Sequence, residues 1–349
     1  MRCLAVPLSR IAIDVMSGDQ GFRPAFKALR PMARRYPDMR FVLVGDKAVT
    51  QPLVERMLWS RRLLEQGRLD IHHASEVISM SDNVSEAMRR RPDSSMRQAL
   101  LLQQSGEVSA VVSAGNTACL LSLSRQLLQT FSGVSRPALC AELPARQGRT
   151  WMLDLGANSD CQAEHLLQFA LMGDALARSV GKVDDPRLRL LNIGEEESKG
   201  LPMIREAAKH LAQGKLNYLG FIEPNRLFEG DAEVIICDGF SGNISLKSSE
   251  GAVSMVYQAL KAEIDRSWWK SLLAKLLLPR LEARIDPTAR NGASLLGLKG
   301  AVVKCHGNAD KRAWMAAIET AISEVANNSS ALVEKALAES FLIPASTGE

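Results

Sequence analysis

Cysteine is sparse and unclustered in this chain. Cys3, Cys119, Cys140, Cys161, Cys237 and Cys305 lie far apart with no CxxC pair, which argues against a zinc knuckle or a disulfide framework and suits scattered thiols in a reducing compartment. No GxxxxGK[ST] string occurs, no two glycines stand two apart, and GxSxG is absent. Those absences remove the P-loop, the GxGxxG dinucleotide fingerprint and the serine nucleophile elbow. No uninterrupted apolar run reaches about 18 residues, the length that begins to span a bilayer. The opening MRCLAVPLSRIAID has an early arginine but neither a long apolar segment nor a small-residue cleavage site, so no secretory leader is expected. A net charge of +4 on 349 residues offers no broad basic field, and nucleic acid is not an expected partner.

What is present is an ordinary globular composition, 46% hydrophobic and 23% charged. A chain of this length buries roughly three quarters of its unfolded surface, as one large or two intimate domains. Short aliphatic runs recur at 10–15, 40–46, 68–73, 108–115, 150–156, 187–194, 216–222, 232–239 and 300–307. Segments of helical periodicity lie between them, such as 162–180, the long block 241–290 and 310–340. Strand and helix alternating in this way predict an α/β fold with a mostly parallel sheet. No internal repeat or low-complexity linker marks a domain boundary.

In such sheets ligands bind at the carboxyl ends of the strands. Five loops there share a chemistry: DVMSGDQG (14–21), SAGNT (113–117), DLGAN (154–158), NIGEEESKG (192–200) and DGFSGN (238–243). Glycine admits positive φ and close approach of a ligand, and the N–H groups of a following helix attract anions. Any one of these loops could equally serve turn capping alone. Together, converging on one sheet edge, they predict a site for a phosphate-sized or phosphate-bearing ligand. Lys199 is the cation nearest to it in a loop, unless it is a solvated surface lysine. Glu195, Glu196 and Glu197 read as a charged turn, since adjacent side chains cannot all converge on one cation.

In their order, IAIDVMSGDQ, LVGD, SAGNT, RPAL, LDLGAN, NIGEEESKG, DGFSGN, GASLLGLKG and KCHG resemble the bacterial acyl-acyl-carrier-protein:phosphate acyltransferases across roughly residues 10–310. The resemblance implies a three-layer α/β/α fold akin to phosphotransacetylases and isocitrate-type dehydrogenases. One catalytic domain would span 1–349, with two lobes about a cleft and a helical protrusion at 264–290. It implies a homodimer that transfers a fatty acyl group from acyl carrier protein to inorganic phosphate. The acyl phosphate would feed a membrane glycerol-3-phosphate acyltransferase, and the enzyme would be cytoplasmic with reversible membrane association. By motif, the family's loop lysine falls on Lys199 and its loop asparagine on Asn243, the two catalytic residues expected. Asp14, Asp19, Ser113, Asn116, Thr117, Asp154, Asn158 and Asp238 would line the cleft.

The chain departs from the family at Ser17 and Gln20, where a glycine and a histidine are usual, and at Glu197, Ser198, Ala118 and Cys119. These changes flank the motif cores, so altered rate or specificity is expected before lost activity. Phosphate is itself a nucleophile, so the chemistry needs orientation and oxyanion stabilisation, with no triad, metal or cofactor. In this scheme Lys199 and the Asn243 amide stabilise charge, and N–H groups near Gly239 and Gly242 cradle phosphate. His306 would protonate the departing thiolate or serve as a packed or capping histidine.

Residues 268–277, WWKSLLAKLL, place Trp268, Trp269, Leu272, Leu273, Leu276 and Leu277 on one helical face opposite Lys270, Ser271 and Lys275. Residues 261–290 hold seven basic and four acidic side chains, so most of the net positive charge falls here. Trp paired with Lys suits an interfacial membrane helix, and the same stripe would suit a dimer mate. The rival activities are a phosphate acetyl- or butyryltransferase using coenzyme A, an isocitrate-type oxidoreductase, and a membrane-bound scaffold without catalysis.

Overall fold

The computed structural model describes residues 10–265 and 292–341. Eleven strands form one sheet: β1 (Arg10–Asp14), β2 (Arg40–Gly45), β3 (Leu69–His73), β4 (Ala110–Ser113), β5 (Ala138–Leu143), β6 (Thr150–Leu153), β7 (Leu188–Leu191), β8 (Tyr218–Ile222), β9 (Val234–Ile236), β10 (Ala293–Leu296) and β11 (Ala301–Lys304). The helices described are α1 (Phe22–Arg35), α2 (Lys47–Arg56), α3 (Leu58–Glu65), α4 (Val84–Arg90), α5 (Ser95–Gln104), α6 (Thr117–Leu128), α7 (Ala163–Ser179), α8 (Pro202–Gln213), α9 (Gly239–Asp265), α10 (Lys311–Ala326) and α11 (Ser329–Phe341). The periodic segment 310–340 is therefore two helices, broken where Asn328 adopts a φ of 50° that asparagine tolerates better than most residues. Beyond Asp265 the expected protrusion at 264–290 lies outside the described residues.

Most strands carry apolar side chains on both faces because both faces are covered. In β1, Ile11 and Ile13 join a cluster with α1 and α10, while Ala12 faces a second cluster that contains Met96, Leu100 and Leu120 of α5 and α6. A third cluster packs β6, β7 and β9 under α7, α8 and α11. The result is the expected three-layer α/β/α arrangement. Among the described residues no helix is long and apolar enough to cross a membrane.

The strand order is β3-β2-β1-β4-β11-β10-β5-β6-β9-β7-β8. β1, β2, β3, β4 and β11 run parallel to one another, and so do β6, β9, β7 and β8. Between these halves β10 is antiparallel to both β11 and β5, and β5 is antiparallel to β6. The halves therefore run in opposite senses, and the expectation that five loops converge on one sheet edge is corrected. Loops after β1, β4 and β11 share one carboxyl edge, and loops after β6, β9 and β7 share the other. Sheet twist of roughly 20–25° per strand pair turns β6 by roughly 80–100° relative to β4, so the two edges are angled and do not lie back to back. α9 starts at the second edge, where it packs against β6.

Candidate functional site

At the first edge, Asp14 is fully buried. Its Oδ2 accepts from Ser113 Oγ at 2.6 Å and its Oδ1 from the Ser17 N–H at 3.3 Å, which locks the loop after β1 to the end of β4. The Asp19 N–H donates to the Gly307 carbonyl at 2.8 Å, tying in the loop after β11. Asn116 is the N-cap of α6: its Oδ1 accepts from the Ala118 and Cys119 N–H groups, and its Nδ2 donates to the Met80 carbonyl. Thr117 opens that helix. The side chains of Asp19 and His306 are exposed.

The second edge is built around Asp154. This fully buried carboxylate accepts from the Leu139, Gly156 and Ala157 N–H groups on Oδ1, and from the Asn158 N–H and Nδ2 on Oδ2. Burial pushes its pKa up, and those hydrogen bonds oppose the rise. Asn158 Nδ2 also donates to the Pro137 carbonyl at 2.8 Å. With every lone pair engaged, Asp154 and Asn158 act as the frame of the loop.

Two expected phosphate donors are corrected by this frame. The Gly239 N–H donates to the Asn158 carbonyl at 2.8 Å and the Gly242 N–H to the Asp238 carbonyl at 2.9 Å, so neither is free to cradle phosphate. These glycines serve close packing instead. A Cβ on Gly239 would stand 2.6 Å from the Asn158 oxygen, and one on Gly242 would stand 2.0 Å from the Asp154 oxygen. Asp238 Oδ1 caps the start of α9 through the Ser241 N–H at 2.9 Å, while its buried Oδ2 has no hydrogen-bond partner among the described residues.

Asn243 projects from the first turns of α9 against the loop after β6: a Cβ on Gly156 would meet its amide carbon at 3.4 Å. Lys199 lies on the neighbouring loop after β7, half exposed, with Nζ 3.8 Å from Glu196. Glu195 pairs with Arg226 at 2.6 Å. The turn holding Lys199 is set by Gly200, whose φ of 86° suits glycine and whose absent Cβ leaves room for Asn192 Oδ1. That Oδ1 is another buried atom without a partner among the described residues.

Ser17, Asn192 and Lys304 are buried polar residues beside these loops that the sequence reading passed over. For Lys304 the signal was available, since a lysine closing the apolar run AVVK must be buried or lie at the strand's edge. Thiol nucleophiles find no support: burial pushes Cys161 up to about 11 and Cys305 up to about 12. The described cysteines are buried and free, and Cys3 lies outside the described residues. A cavity of about 480 Å³ lies away from these loops, where Trp151, Leu176, Ser294, Ile322 and Glu324 line the seam between the two halves.

Over residues 9–332 the chain matches the family described as "Fatty acid synthesis protein". It is 44% identical over 339 residues to a phosphate acyltransferase of Alcanivorax borkumensis, a match covering 96% of this chain and 99% of that protein. A phosphate acyltransferase of Methylococcus capsulatus is 44% identical over 321 residues, 91% of this chain and 94% of that protein. Among solved structures, a phosphotransacetylase from Streptococcus pyogenes superimposes with a TM-score of 0.58 at 17% identity, covering 91% of this chain and 94% of that one. A branched-chain phosphotransacylase from Enterococcus faecalis gives 0.58 at 13% identity, covering 91% and 99%. Likeness at such identity speaks for the fold alone.

Proposed function

The chain belongs to the fatty acid synthesis protein family, and we propose that it is a phosphate acyltransferase that converts fatty acyl-acyl carrier protein and inorganic phosphate to acyl phosphate and free carrier protein. The observation that carries the reading is the adjacency of three loops on β6, β9 and β7, with Asn243 set against Gly156 and Lys199 one strand away. A phosphate oxygen attacks the thioester carbonyl carbon, and the carbonyl electron pair moves to oxygen. As the oxyanion collapses the C–S bond breaks, and the thiolate takes up a proton.

Lys199 and the Asn243 amide stabilise the oxyanion. Alignment of the two substrates is worth about 7–11 kcal/mol and one oxyanion donor about 3 kcal/mol, enough to dominate the rate. His306 is the proton donor in this scheme, and Asp14, Ser113, Asp154 and Asn158 hold the loops in register. The partners are acyl carrier protein, inorganic phosphate, a second copy of the chain and, at a membrane surface, the glycerol-3-phosphate acyltransferase that takes the product. The protein is cytoplasmic and binds membrane reversibly. The apolar residues Met255 and Val256, both more than half exposed on α9 ahead of the 268–277 stretch, support an apolar contact here.

Purified protein incubated with palmitoyl-acyl carrier protein and labelled phosphate should yield hydroxylamine-labile acyl phosphate. Faster turnover of acetyl-coenzyme A would favour a phosphotransacetylase, and no product from either donor would overturn the assignment.

A further inference from the structure

The cavity at the seam of the sheet lies between α10 of the first half and α7 of the second, over the antiparallel strands β5 and β10. At about 480 Å³ it has the size usual for a small-molecule site. Leu176, Val180, Ala316 and Ile322 give it apolar walls. Glu324 lines it too and is 6% exposed, its carboxyl accepting from the Ser294 hydroxyl.

The other charged groups of the lining have partners. Glu142 accepts from Arg149 at 3.0 Å, and the Arg149 guanidinium lies over the Trp151 ring, 4.9 Å from its centroid. Glu319 accepts from the Tyr36 hydroxyl at 2.8 Å and pairs with Arg35 at 3.0 Å. Burial, and next the charge of Glu324, pushes the Cys140 thiol up, so that group stays neutral. Glu324 itself has only the Ser294 hydroxyl: among the described residues no cation pairs with it and no second donor reaches it. A carboxyl buried without a cation is costly to ionise, and a cation entering beside it offsets that cost.

We propose that this cavity is a binding site for a small organic cation, a primary ammonium on a short aliphatic stem. The ammonium takes the second oxygen of Glu324, and the stem lies along Leu176, Val180 and Ile322. An anion is disfavoured, because Glu142, Glu319 and Glu324 face a single lining guanidinium, that of Arg149. Since α10 and α7 belong to opposite halves, a bound cation ties the halves together away from the loops of Lys199 and Asn243.

Burial puts the Glu324 pKa at about 7, so at about pH 6 the empty site holds a proton. Entry of the ammonium turns the carboxyl into a carboxylate, and the proton leaves to the buffer. Calorimetric titration of the full chain with hexylamine at about pH 6, in buffers of different ionisation enthalpy, should show nearly one proton released per amine bound. Affinity should rise about tenfold between about pH 6 and pH 8, where the carboxyl is already ionised. Hexanol should bind at least about tenfold more weakly, and hexanoate should not bind.

Glu324→Gln keeps an acceptor for Ser294, and it should bind hexylamine at least about tenfold more weakly with no proton released. Ala316→Phe fills the cavity while leaving Glu324 in place, and it should abolish binding. Should that variant fail to fold, Glu324→Gln decides the matter alone. Hexylamine bound no better than hexanol would overturn the proposal, leaving a plain apolar void. Hexylamine bound equally well by Glu324→Gln, or by a folded Ala316→Phe, would overturn it too, since the ammonium would then sit elsewhere. Each readout is binding, so failure of acyl transfer would leave this site standing.

Discussion

Gly242 lies so close to Asp154 that a Cβ on the glycine would stand 2.0 Å from the Asp154 carbonyl oxygen. That approach presses the first turn of α9 onto the loop after β6, and it places Asn243 where Gly156 leaves space. The nearest atom is backbone, which cannot rotate away, and the Cys237 sulfur stands next at 2.7 Å.

Gly242→Ala should therefore destabilise the protein by about 3 kcal/mol through overpacking. A Cβ on Gly251, further along α9, would meet nothing within 4 Å, and Gly251→Ala should stabilise by about 0.5–1 kcal/mol through helix propensity alone. Denaturant unfolding of both variants checks the pair, and equal effects would contradict the packing argument.

Lys199→Ala and Asn243→Ala should each lower kcat about 10²–10³-fold, the usual cost of one oxyanion donor. Asn116→Ala should mainly cost stability, about 1 kcal/mol, because Asn116 caps α6. Steady-state rates beside melting curves separate these roles. Near wild-type turnover in the first two variants would remove them from the chemistry.

Glu324 is buried against Ser294, whose hydroxyl it accepts, and burial pushes its pKa from 4.5 up to about 7. The folded state holds the proton more tightly than the unfolded state. Its contribution to stability is thus fully present below pH 4.5 and is lost as pH rises to about 7. The loss amounts to about 3 kcal/mol. Glu324→Gln keeps an acceptor for Ser294 and removes the titration, so its stability should be flatter across that window and higher than wild type above it. Urea midpoints measured across the window test this, and parallel curves would refute it.

Trp268→Glu and Trp269→Glu should weaken flotation with anionic liposomes at least tenfold, since each replaces an interfacial aromatic with a charge that the lipid surface repels. Unchanged lipid binding by a folded double variant would assign the stripe to a protein contact.

The parallel strands and their loops were legible in the sequence because their signals are local: aliphatic runs of strand length, ended by glycine, acid and amide. β5 and β10 were not. ALCAEL and ASLL are rich in small residues, and they look like connections until the sheet pairs them. They are also the strands that reverse the sheet, so missing them led to the expectation of one converging edge. Lys304 went unnoticed beside His306, although of the two it is the histidine that is exposed and the lysine that is buried.

By itself the sequence determined the class of fold, the set of loops and the likeness to one family, because glycine conformations and hydrophobic periodicity act over a few residues. Tertiary structure alone decided which groups remain available to a ligand. Ser113 reaches Asp14 across 99 positions, and Cys237 donates its thiol to the Asp154 carbonyl across 83. Pairings over such distances accompany the use of the Gly239 and Gly242 amides within the loops, and they leave the Ser17 hydroxyl without a partner among the described residues. Which donors are consumed depends on what packs beside them, and that is settled only when the two halves of the sheet meet.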